Sequence, residues 1–125
     1  MNVGLLFAVG IGGFFGAVMR FSLSAWVQKL SASSFPFGTL SVNILGSLLM
    51  GFLFMYFSQV NLSVHQKLIV TTGFLGALTT FSTFSMETLN LFEEGLALRA
   101  LLNMFINVTF TVLAVWLGAV LGKQM

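Results

Sequence analysis

A chain of 125 residues makes one domain, and with 58% apolar but only 6% charged residues it lacks the roughly 25% of charged side chains that a water-facing surface normally needs. A formal net charge of +2 without any basic cluster excludes a nucleic-acid footprint, which rests on neutralising many phosphates. The absence of cysteine excludes disulfides and thiolate metal sites, and the single histidine, His65, sits in a polar connection as a solvated loop residue would.

The natural solvent for most of such a chain is a lipid bilayer, whose hydrocarbon core takes about 20 mostly apolar residues to cross. Four stretches qualify. The first runs from Gly4 to Trp26, with Arg20 in its second half. No basic region precedes it and it outruns a signal peptide, so it reads as a retained helix. Residues 27–37 connect it to the second span and contain Pro36, the only proline. Proline is tolerated at a helix start, where its missing N–H has no partner to lose. The second span runs from Gly38 to Phe57 and carries Asn43 inside it. Residues 58–67, which carry Gln59, Asn61, His65, Gln66 and Lys67, lead to the third span, Leu68 to Phe92. Residues 93–99, with Glu93, Glu94, Gly95 and Arg99, lead to the fourth, Ala100 to Leu121. No connection is long enough for a soluble catalytic domain, so residues 1–125 form a single all-α transmembrane domain of four helices. Gly12 and Gly16 in the first span, and Gly118 and Gly122 in the fourth, are GxxxG pairs that let helix backbones approach closely in lipid.

The third span departs from an ordinary membrane helix. Residues 71–85 hold seven hydroxyl side chains and two glycines. Bonds back to the helix's own carbonyls explain one or two such hydroxyls. The alternative is a helix that breaks near Gly76–Thr83, where freed backbone groups must be satisfied by protein, water or an ion. Broken helices build ion sites in this way in transporters. Phe81 and Phe84 lie three apart, close enough to share a face. A phenyl ring has a positive edge that can face an anion, and lipid contact or packing is the plainer role for any one of fifteen phenylalanines. Asn103, Asn107 and Thr111 recur at i, i+4 and i+8 on one face of the fourth span. They read as a polar track along a water-filled path, or as inter-helix hydrogen bonds.

Charge narrows the function. Glu87 is the only carboxylate inside a span, whereas a proton-coupled exporter wants one deep in the bundle. Neutral Asn, Ser and Thr donors suit an anion and bind it weakly enough to release it. No nucleophile–base pair or metal set can be assembled, which argues against an enzyme. A drug or cation exporter and a non-transporting scaffold are the competing classes. The exporter lacks its buried carboxylate, and the scaffold leaves the Thr79–Phe84 cluster without a purpose. Lys67 and Lys123 fall on one side of the membrane, Lys29 and Arg99 on the other, with Arg20 near that end of its helix, so the bias is close to nil. So even a split is what dual insertion produces, and also what a weak positive-inside bias from few charges produces.

The run Gly73-Phe74-Leu75-Gly76-Ala77-Leu78-Thr79-Thr80-Phe81-Ser82-Thr83-Phe84-Ser85-Met86-Glu87 resembles the signature of the CrcB/Fluc fluoride channels. Gly38–Gly46 resembles that family's second-helix motif and Gly12–Arg20 its first, so the resemblance covers essentially the whole chain. It implies a multi-pass protein of the bacterial inner membrane that pairs antiparallel with an identical subunit and exports cytoplasmic fluoride by passive electrodiffusion. By matching motif positions, Phe81 and Phe84 turn their ring edges to fluoride and Asn43 donates to it. Ser82 and Thr83 lie beside the pathway in the broken segment. Asn103, Asn107 and Thr111 form its polar track, and Arg20 sits near a vestibule. The backbone carbonyls of Gly76 and Thr79 bind a structural sodium ion at the dimer centre. Two departures stand out. Ala77 replaces a glycine common in the family, and Asn103 and Asn107 occupy track positions where Tyr and Ser are frequent.

Overall fold

The computed structural model describes residues 2–125, and within them the chain is entirely helical apart from its connections. Helix α1 spans Val3–Ser31 and α2 Phe37–Phe57. A third, discontinuous span begins with α3 (Val64–Leu68), continues as a π-helix over Ile69–Leu75, and ends its first half with the short turn α4 (Gly76–Leu78). After a break it resumes as α5 (Ser82–Glu93), and α6 (Ala97–Lys123) follows. The four spans Val3–Ser31, Phe37–Phe57, Val64–Glu93 and Ala97–Lys123 are long and apolar enough to cross a membrane. The chain is thus a multi-pass membrane protein.

The helices outrun the apolar stretches that mark them in the sequence, because a helix can continue into the polar interface wherever its ends are capped. Asn2 caps α1 by accepting from the Gly4 N–H at 2.6 Å. Ser63 and Gln66 close a reciprocal capping box on α3. Helix α5 stops at Gly95, whose φ of 78° is left-handed. There the Leu96 and Gly95 N–H groups return to the carbonyls of Leu91 (2.8 Å) and Phe92 (3.1 Å), a Schellman stop that satisfies two orphan carbonyls. Gln28 ties the first connection together, donating to the carbonyls of Ser33 and Phe35 and accepting from the Gly38 N–H.

Both glycine pairs pack, each against a definite partner. A methyl group added at Gly12 or Gly16 would lie 2.0 or 2.2 Å from the carbonyl oxygens of Ile69 and Phe74. The α1 pair therefore receives the π-helix main chain directly. Added at Gly118 or Gly122, it would lie 2.1 or 2.3 Å from the carbonyl oxygens of Leu48 and Phe52, so the α6 pair seats α2. The small apolar core, Val42, Leu75 and Leu78, sits immediately before the break. Phe7, Phe14, Phe21, Phe105 and Trp116 point outward, as expected when the surrounding solvent is hydrocarbon.

Candidate ion-conducting site

The break narrows to Thr79–Phe81, inside the expected Gly76–Thr83 window. Thr79 is extended, at φ −90° and ψ 159°. Two diverted donors account for the interruption. The Thr80 N–H, which would close a helical bond to Gly76, donates to Asn43 Oδ1 at 2.8 Å. The Thr83 N–H, which would close one to Thr79, donates to Thr80 Oγ1 at 3.2 Å. The carbonyls of Gly76 and Thr79 thereby lose their helical donors. Asn43 Nδ2 also donates to the Thr80 carbonyl at 3.1 Å, so one buried amide on α2 replaces both main-chain partners of Thr80. Arg20 Nε donates to the Ala77 carbonyl at 2.9 Å, capping the end of the first half-helix with positive charge where the helix dipole favours it.

Beside the break lies an open cleft of about 310 Å³. Of the expected site residues, it brings together Asn43, Gly76, Thr79, Phe81, Phe84, Asn107 and Thr111. Ser82, Thr83, Asn103 and Arg20 do not line it. The two rings meet at 5.2 Å between centroids and 56° between planes. Phe84 is 7% exposed and Phe81 75%, so one ring is part of the subunit interior and the other projects from its surface.

The polar residues of α6 form a chain of amides pointing one way. Asn43 Nδ2 donates to Asn107 Oδ1 (3.1 Å), Asn107 Nδ2 to Asn103 Oδ1 (2.9 Å), and Asn103 Nδ2 to Thr88 Oγ1 (2.9 Å). Thr88 in turn donates to the Phe84 carbonyl at 2.8 Å. A backbone N–H can only donate and a carbonyl can only accept, so the contacts to Thr80 and Phe84 fix the amide orientations from both ends. Thr88, which terminates the chain, was missed in the sequence, and its position four residues after Phe84 is the signal that could have found it. Ser47 and Thr80 also line the cleft. Midway along α5, Glu87 Oε2 accepts from the Thr39 hydroxyl at 3.0 Å, apart from this cleft.

The broken span and the lining of neutral amides, hydroxyls and phenyl rings are the features of a membrane transport protein. A family description, "CrcB-like protein, Camphor Resistance (CrcB)", matches residues 7–119, and the chain belongs to that family. It is 52% identical over 125 residues to a fluoride-specific ion channel of a Nitratiruptor species, covering 100% of this chain and 97% of that one. A fluoride-specific ion channel of a Sulfurovum species is 54% identical over 121 residues, covering 97% and 95%. One of Campylobacter lari is 45% identical over 121 residues, covering 97% and 99%.

Proposed function

We propose that the chain is a fluoride-selective channel that exports cytoplasmic fluoride by passive electrodiffusion across a bacterial inner membrane. The observation that carries this reading is the cleft at the break, lined by neutral donors and aromatic rings and by no carboxylate. Neutral donors hold an anion without trapping it, and without a carboxylate there is no obvious site for proton coupling. The test is fluoride efflux from liposomes holding the purified protein, read with a fluoride electrode after a potassium ionophore is added. Efflux should start with the ionophore, because net anion movement needs a compensating charge, and chloride should remain inside. A requirement for a proton gradient, or equal chloride flux, refutes the reading.

The working unit is an antiparallel homodimer. Phe81 is mostly exposed beside an open cleft, where a second copy would complete the wall, and Arg20 apart, the Lys and Arg residues divide two and two between the two ends. Gln59 Nε2 donates to the Gly122 carbonyl at one end, and Arg99 bonds Ser34 at the other, which places Lys67 with Lys123 and Lys29 with Arg99. Single cysteines placed in the connections should be labelled from both sides of the membrane, and labelling from one side alone removes the antiparallel arrangement.

The carbonyls of Gly76 and Thr79 fit a structural sodium ion: they are hard oxygen ligands, freed of helical donors, and they carry no formal charge. Bound there, sodium would supply a fixed positive charge at the break. Removal of sodium from both sides, continued until retained ion has exchanged, should abolish fluoride flux, and undiminished flux would overturn the assignment.

A further inference from the structure

Every hydrogen a cleft offers to an anion must come from a donor that the protein has not already used. Several expected donors are engaged. Both N–H groups of Asn43 reach protein acceptors, Thr80 O and Asn107 Oδ1. The Asn107 amide nitrogen points away from Asn43, toward the carbonyl and side-chain oxygen of Asn103. Thr111 donates to the Asn107 carbonyl at 2.6 Å and Thr79 to the Leu75 carbonyl at 3.1 Å. Bonding back to the carbonyl four residues earlier is the habit of hydroxyls in this chain, for Ser24, Ser41, Thr71, Ser85 and Thr88 do the same.

Among the hydroxyls that line the cleft, Ser47 departs from that habit. It stands one turn after Asn43 on α2 and lines the cleft. Its backward partner would be the Asn43 carbonyl, yet among the described residues no protein group hydrogen-bonds its hydroxyl. The oxygen is not sealed in the interior either, since the only buried unpartnered side-chain atom among those residues is Glu87 Oε1. Within the cleft lining, Thr80 is the comparable case: its Oγ1 accepts from Thr83, and its own proton is directed to no protein acceptor.

We infer that Ser47 is an anion-contacting residue of the pathway, its hydroxyl proton donated to fluoride in the cleft together with that of Thr80. This rests on the reading that the cleft carries fluoride. Asn43 then acts first as the clamp that opens the break, and Ser47 supplies a proton that needs no other bond broken before the ion can use it.

The experiment is fluoride efflux from liposomes for Ser47→Ala, Ser47→Thr and Asn43→Ala, with Ser41→Ala as the control outside the cleft. Ser47→Ala should slow efflux roughly tenfold, the scale of a lost hydrogen bond to a charged group, while Ser47→Thr and Ser41→Ala stay near the parent. Parent-like efflux from Ser47→Ala with loss in Asn43→Ala overturns the role of Ser47 and leaves the pathway standing. Equal loss in Ser47→Ala and Ser47→Thr also overturns it, because side-chain shape and not the proton then matters. Parent-like efflux from both Ser47→Ala and Asn43→Ala removes the cleft as the pathway and the inference with it.

Discussion

Phe84→Ile and Phe81→Ile should each lower fluoride flux at least about tenfold, whereas Phe92→Ile should leave it near the parent level. Isoleucine retains most of the apolar volume, and such hydrophobic swaps usually cost under about 1.5 kcal/mol. What it removes is the ring quadrupole, whose positive edge can face a partly dehydrated anion. A loss of about 1.4 kcal/mol in that stabilisation is a factor of ten. The two rings touch each other and line the cleft, while Phe92, 42% exposed at the far end of α5, does not line it. Phe81 is the sharper test: it projects from the subunit, so its replacement disturbs little of the subunit core. Each variant must first migrate as an intact dimer on size exclusion. If both cleft variants conduct like the parent while Phe92→Ile does not, the pathway lies on another face of the third span.

Asn43→Ala should impair both the fold at the break and the flux. The substitution removes the acceptor of the Thr80 N–H and the donor to the Thr80 carbonyl and to Asn107 Oδ1. Leaving a buried polar group unpaired costs about 1–3 kcal/mol, so the melting temperature should fall along with efflux. Asn43→Asp separates the two effects. It keeps an acceptor for the Thr80 N–H but puts a carboxylate beside the anion's route, so it should preserve more of the fold and abolish flux. Rapid efflux from Asn43→Asp would show that the ion does not pass this residue.

Much of this architecture is legible along the chain because hydropathy and helical spacing are local. The four spans, the break between Gly76 and Thr83, the common face of Asn103, Asn107 and Thr111, and the two glycine pairs all follow from runs of neighbouring residues. Ser47 was not legible: it stands four residues after Asn43, but nothing in the sequence distinguishes it from a hydroxyl bonded to its own helix.

What only the tertiary structure decided is which group bonds which. The break closes to Thr79–Phe81 because an amide 37 residues earlier in the chain takes over the Thr80 main chain. Phe81 and Phe84 share a spacing rule yet differ from three-quarters exposed to buried, because burial depends on what packs against the rings and not on their spacing along the span. The π-helix over Ile69–Leu75 has no local signal and is seen only where its carbonyls meet Gly12 and Gly16. Spacing selects the residues that share a face. Whether their protons point into the bundle or into the cleft depends on acceptors distant in sequence, and those are brought within reach only when the helices pack.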